Sequence, residues 1–474
     1  MSLLDTTIVN VAIAPLGHDF AVSLPTIQWV TTAYLLALSI SIPLSGWAAD
    51  RFGAKRVWMV SVGLFTAGSV LCALSLSTTA LIASRGIQGA GGGMILPVGQ
   101  AIVAQAAGPR RMGRMMGLIG APTLLAPILG PPIGGLIVEF ASWRLLFLVN
   151  VPIGILALVL ASRMFGPSTQ RTRPRKFDTL GFVVLGSGLA LLVYGLSRVG
   201  TSSAAVTWSV GGPVLVALAL VCLFAVHANR RGDAALLDVR LFRNSRPFVA
   251  AAVMSLIFSA SLLGVMLLLP IYYQVVRGEG PLAAGLLMAP QGVGAVIGMF
   301  VSGWLTDLLG AGRVVLVAIF IGLAGTAVLT QVDMNSSFVL LIVALAVRGL
   351  GLGAMMTPAI SAALATLRRA DVPGATTTLN VIQRIAGAMG TALLAVLLAR
   401  GVPPSVRDDL FATAADRSRA VDAELARAFQ RPFWVAWVLL ALLIIPALFV
   451  PRRPASTSRC SEERVSEKEV EAFA

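Results

Sequence analysis

The chain has 474 residues, 57% of them hydrophobic and only 12% charged, with a mean hydropathy of +0.88, which leaves too little polar surface for a soluble protein of this size. Its net charge of +15 does not indicate nucleic-acid binding, because the arginines sit in short loops between apolar runs and form no basic stripe on a polar domain. Three cysteines, two of them inside apolar runs, make neither a disulfide framework nor a metal set, and no phosphate-binding GxxxxGK[ST] loop or hydrolase elbow is present.

A helical span needs roughly 20 apolar residues. The first candidate, residues 1–16, contains "SLLDTTIVNVAIAPL" with Asp5 inside it. Sixteen residues rise only about 24 Å against a core of about 30 Å, so this span is expected to be incomplete. No basic flank precedes it and no cleavage signal follows, which argues against a signal peptide. Further spans are predicted at 27–49, 57–77, 80–106, 116–139, 143–164, 179–198 and 208–228, then 248–275, 284–306, 313–332, 336–366, 376–399 and 432–451, fourteen in all. With the loop "DRFGAKR" (50–56) inside and the sides alternating, inside segments hold 24 of the 36 basic residues, and both termini are expected on the cytoplasmic side. The charged tail, 452–474, is expected to be disordered.

Taken in chain order, several residues are out of place in apolar helices. An ionised Asp5 in a span costs about 2.5–3.5 kcal/mol, and burial favours its neutral form, which suits a proton carrier; a water-facing position near the helix end is the alternative. In the loop, Gly46 and Gly53 permit close helix approach, Asp50 can face a helix N-terminus or an arginine, and Arg51, Lys55 and Arg56 are basic anchors. Arg85 in the fourth span shares a face with Gln88, Gly89 and Gly92. It either tunes a neighbouring acid or ties to backbone carbonyls. The fifth span, "GAPTLLAPILGPPIGG", holds four prolines, Pro131 among them, and Gly130, Gly134 and Gly135, which predict a kinked helix with a small-residue crossing face. Gln28, Tyr34, Gln88, Asn150, Tyr272, Gln291, Asn380 and Arg384 are candidates for a cavity lining, though each alone could be an interhelix hydrogen bond or an interfacial anchor.

Two stretches repeat. "SGWAADRFGAKR" (45–56) is echoed by "SGWLTDLLGAGR" (302–313), and "SRGIQGAGGGMILP" (84–97) by "VRGLGLGAMMTP" (347–358). Gly46 to Gly303 is an offset of 257 and Arg85 to Arg348 one of 263, so a unit is duplicated, with the spans between 179 and 228 outside the repeat. The expected fold class is all-α integral membrane protein: a six-helix bundle (1–165), two inserted spans with basic loops (166–247), and a second six-helix bundle (248–451).

On these residues the chain resembles the major facilitator superfamily, and within it the fourteen-span drug:proton antiporters. The motifs are "LDTTIVNVA", "GWAADRFGAKR", "LIASRGIQGAGGGM", "APILGPPIGG" and "SWRLLFLVNVPIG", in that order. The resemblance implies a multi-pass inner-membrane exporter that swaps protons for hydrophobic or cationic drugs by alternating access. The excess of arginine over lysine with abundant alanine, glycine and valine points to a bacterial source, a monomer is one expectation, and the motifs of an enzyme, a cofactor site or a metal site are missing from the sequence. The resemblance also implies proton coupling through Asp5 and Arg85, a latch in 46–56, and an antiporter bend in the fifth span. A dedicated exporter of a lipid, siderophore, amino acid or self-made antibiotic, or a non-transporting sensor or inactive fragment, are the alternatives.

Overall fold

The computed structural model describes residues 1–164, 177–197, 208–232, 235–237, 240–368, 371–402 and 419–451. The tail 452–474, most of the loop 163–176, the middle of the 400–431 segment and the side chain of Pro131 lie outside the described part. Among the described residues the secondary structure is helical, without strands. The N-terminal set is α1 (Ser2–Val11), α2 (Ile13–Asp19), α3 (Leu24–Ile27), α4 (Trp29–Ser41), α5 (Leu44–Phe52), α6 (Ala54–Ala73), α7 (Thr78–Phe140), α8 (Arg144–Leu148) and α9 (Asn150–Met164). Next come α10 (Thr179–Ser197) and α11 (Trp208–Arg231). The C-terminal set begins with α12 (Leu241–Asn244) and α13 (Arg246–Ile271), followed by a π-helical turn at Tyr272–Val276. It continues with α14 (Pro281–Leu309), α15 (Ala311–Leu329), α16 (Phe338–Ala365), α17 (Val372–Gly401), α18 (Arg419–Leu442) and α19 (Ile444–Ala447).

Ten described helices are long and apolar enough to cross a bilayer, and α4 with α5 makes an eleventh span bent by 53°. The bend falls at Ile42–Pro43, where proline has no N–H to continue the ladder. The other three predicted spans are present in altered form. The first is the ten-residue α1 followed by α2, the seventh is the short apolar stretch Thr179–Gly195 of α10, and the fifth lies within α7.

That last point corrects the predicted loop at 109–114. Helical hydrogen bonding runs through it, and α7 is one element of 63 residues. It cannot be straight. Arg85 touches Asp5 of α1, and Gly130 packs on Thr7 of the same short helix. In a straight helix the 45 residues between them would span about 68 Å, so α7 doubles back on itself.

The repeat is visible in the backbone. Gly53 (φ 88°) joins α5 to α6, and Gly310 (φ 85°) joins α14 to α15. They are 257 residues apart, and both adopt a conformation closed to side-chain-bearing residues without strain.

The two sets meet at the end of the bundle that carries the 50–56 loop. Ser45 and Thr377 share a hydrogen bond of 2.9 Å, and Asn380 Nδ2 donates to Gln100 Oε1 at 2.8 Å. Gly46 is part of this contact. A Cβ there would lie 3.0 Å from Thr377 Oγ1 and 3.4 Å from the Pro373 carbonyl, so glycine lets α5 cross α17 closely. Ala104, Phe248, Ala375 and Leu379 form an apolar plug beside it.

The inserted helices pack outside the repeat, Leu185 and Leu189 of α10 joining Leu38 and Ile42 of the N-terminal set. Their ends are fastened by Asp178, which is buried. Its carboxylate accepts from the Gly181 N–H at 3.0 Å and the Leu236 N–H at 3.2 Å, and lies 3.0 Å from His227 Nε2 and 3.2 Å from Arg231 Nη1. Burial pushes the Asp178 carboxyl up, but the bonds from Gly181, His227 and Leu236 outweigh it and hold it below the ordinary range. Outward-facing Val60, Leu156, Val216, Phe300 and Phe320 are exposed, as a lipid-facing belt requires.

Candidate functional site

Asp5 and Arg85 meet inside the N-terminal set, and both side chains are fully buried. Arg85 Nη1 donates to Asp5 Oδ2 at 2.5 Å and to Gln88 Oε1 at 2.6 Å, and Nε donates to the Val30 carbonyl at 3.1 Å. Asp5 Oδ1 accepts from Gln88 Nε2 and from Asn150 Nδ2, each at 2.9 Å. The guanidinium also lies 4.0 Å above the Tyr34 ring, whose hydroxyl donates to the Ser2 carbonyl. Four elements thus converge on one ion pair: α1, α4, α7 and α9. Small residues make this possible. Gly68 packs on Gln88, Gly89 on the Tyr34 backbone and Gly93 on Leu38, so α4, α6 and α7 approach within side-chain-free distance.

The chemistry of this cluster is that of a neutralised pair. A buried carboxylate is tolerable when an opposite charge and hydrogen-bond donors compensate it, and both are present. Gln88, Tyr34 and Asn150, predicted as cavity lining, belong instead to this cluster.

A separate cavity of about 250 Å³ lies between the two sets. Of the predicted lining residues, Gln291, Asn380 and Arg384 border it. Its walls are mostly apolar, from Leu38, Leu262, Met266, Leu352 and Met356 among others. Gln100 and Ser2 also border it; a glutamine within an apolar run is the sequence signal for the first, and Ser2 has none. Gln28 and Tyr272 do not border it. Gln28 precedes α4, and the Tyr272 hydroxyl donates to the Asp333 carbonyl at 2.7 Å, away from the 50–56 end. Arg384 borders the cavity, and among the described residues no carboxylate pairs with it.

The C-terminal set repeats the cluster without its acid. Arg348 is fully buried, and its Nη1 donates to Gln291 Oε1 at 2.8 Å, while Nε and Nη2 find no partner among the described residues. Gln291 is the residue 257 positions after Tyr34, so the two arginines face equivalent positions of equivalent helices. The same offset from Asp5 falls on Leu262.

In the predicted fifth-span motif, Gly130 packs on Thr7 and Gly134 on Ile8. Gly135 faces open space, which corrects its place in the expected crossing face: one residue turns a helix by about 100°, carrying Gly135 off the side shared by 130 and 134. In the loop, Arg51 and Arg56 are exposed, Asp50 is half-buried, and Lys55 Nζ reaches the Ser162 carbonyl at 3.5 Å. No group of three or more His, Cys, Asp or Glu side chains among the described residues could hold a metal.

The family model described as Major Facilitator Superfamily matches residues 1–391 and 294–472. A multidrug resistance protein B homolog of Mycobacterium tuberculosis is 37% identical over 486 residues, covering 97% of this chain and 89% of its own. A putative multidrug resistance protein, MdtD, of Salmonella heidelberg is 29% identical over 477 residues, covering 97% and 93%. Among solved structures, a double-tryptophan variant of XylE superposes with a TM-score of 0.63 at 15% identity, covering 96% of this chain and 94% of its own, which bears on the fold alone.

Proposed function

This chain belongs to the major facilitator superfamily, and from that premise we propose that it is a proton-coupled exporter of hydrophobic small molecules. The observation that carries the reading is the fully buried Asp5–Arg85 pair with its Gln88 and Asn150 donors, set in the same helices that wall the cavity between the two sets. α1 serves both: Ser2 and Leu3 border the cavity, and Asp5 lies one turn further on. A rocking motion that moves α1 against α7 changes the cavity wall and the ion pair together. That is the linkage an exchanger needs.

The two helix sets are the moving units, and both termini face the cytoplasm, in keeping with the basic 50–56 loop. In the described conformation the cytoplasmic end is closed by Ser45–Thr377 and Gln100–Asn380. The relatives named for multidrug resistance support a drug-like cargo.

The test is purified protein in liposomes with an imposed pH gradient and pyranine trapped inside. Hydrophobic fluorescent compounds of each charge are added in turn. Wild type is expected to move at least one of them against protons, and Asp5→Asn to lose the proton response. Unchanged gradient-driven movement in Asp5→Asn overturns the coupling role.

A further inference from the structure

We propose that the cavity between the two sets is a site for amphipathic organic anions, an apolar body bearing a carboxylate-like oxyanion; this rests on the exporter reading and narrows its cargo. The sequence left the cargo as hydrophobic or cationic. The cavity's own chemistry opposes the cationic half. Among the described residues its lining includes one guanidinium, Arg384, and no Asp or Glu. Asp5 is outside the lining and is already matched by Arg85, so that pair is neutral as a unit.

Two of the lining amides are turned to present donors, whereas Asn380, whose Nδ2 donates to Gln100 and to the Thr376 carbonyl, leaves its Oδ1 as an uncharged acceptor. Gln291 spends its Oε1 accepting from Arg348, which orients its Nε2 amide as the end left for other partners. Gln100 spends its Oε1 accepting from Asn380, with the same result. Arg384 adds five N–H groups in a planar fork that matches a carboxylate. Behind Gln291 stands Arg348, fully buried, with two nitrogens unpartnered among the described residues and an equivalent of Asp5 replaced by leucine. Its positive field acts across a low-dielectric wall, where charge is weakly screened. One cation, Arg384, and two oriented amides therefore face a space walled mainly by leucine and methionine, with Arg348 held behind Gln291. A cationic ligand would meet repulsion there and no acceptor of opposite charge. An oxyanion would find Arg384, and its apolar body would fill the rest.

The experiment uses three tritium-labelled compounds with one apolar body: naphthylbutanoate, naphthylbutanol and naphthylbutyl-trimethylammonium. Binding to the full-length protein in uncharged nanodiscs is measured, with nonspecific signal defined by excess unlabelled compound. Wild type is expected to bind the butanoate about tenfold or more tighter than the alcohol, the scale of one charge-assisted hydrogen bond, and the ammonium weakest. Arg384→Gln is expected to abolish the preference and Arg384→Lys to retain it. Arg384 is half-buried, and thermal stability of each variant confirms that it is folded. Equal or tighter binding of the ammonium compound, or a preference unchanged in Arg384→Gln, overturns the proposal. Movement in the pH-gradient assay separates the two readings. Gradient-driven movement with no charge preference leaves the exporter and removes the anion site; an Arg384-dependent preference with no movement of any compound keeps the site and removes the exporter.

Discussion

Asp5 gives both carboxylate oxygens to partners from other helices, and this decides what a substitution there does. Asp5→Asn leaves Arg85 buried without a counter-charge, and Arg85→Ala leaves Asp5 so. Breaking one side of a buried pair costs about 3–5 kcal/mol. The double variant Asp5→Asn/Arg85→Gln is expected to be less destabilised than the sum of Asp5→Asn and Arg85→Gln, because neither charge then remains uncompensated. Thermal unfolding in detergent across the four proteins measures this. Strict additivity would mean that the pair is not coupled. The candidate residues were individually visible in the sequence, as polar groups in apolar runs, but their grouping was not. Gln88 and Asn150 read the same as Asn380 and Gln291, yet two of these hold Asp5 and two border the cavity. What separates them is which glycine face each helix presents to its neighbour, and α7 is glycine-rich on several sides at once.

At the level of elements, the sequence located nearly every span but misjudged the joint inside α7. Arg, Gly and Pro around 109–114 have the composition of a loop, whereas α7 stays helical through them and reverses direction somewhere between Arg85 and Gly130. The duplicated glycines were legible because a positive φ tolerates little else, and Gly53 and Gly310 hold the same turn. The clasp at Asp178 was not legible. A lone Asp before one apolar run and a lone His at the end of the next share no spacing rule, and only the packing of α10 on α11 joins them. Its pH dependence can be derived. A carboxyl held below the usual value stabilises the fold above the unfolded-state pKa of about 3.9, and that contribution is lost as pH falls through the folded value. Asp178→Asn is therefore expected to lower the unfolding midpoint at pH 7 by an amount that shrinks below pH 4. A difference that stays constant down to pH 3 would assign the clasp no ionic part.

For the molecule as a whole, the contacts at the 50–56 end set a geometric limit on motion. Ser45 and Thr377 oxygens are 2.9 Å apart across the two sets. Cysteines at both positions, in a background with Cys72, Cys222 and Cys460 replaced, are expected to form a disulfide on oxidation. Movement of cargo should then stop and return on reduction. Full movement with the bridge intact would mean that this end does not open during the cycle.

The leucine standing where the second copy of the repeat would place an acid has a consequence for energetics. If one carboxylate serves both sets, a cycle that admits one proton and expels one monovalent anion carries two elementary charges inward, against one for an uncharged cargo. Each charge is worth about 2.3 kcal/mol per 100 mV of transmembrane voltage. A resting, polarised cell would therefore drive the exchange by electrical potential even when the two sides are at equal pH.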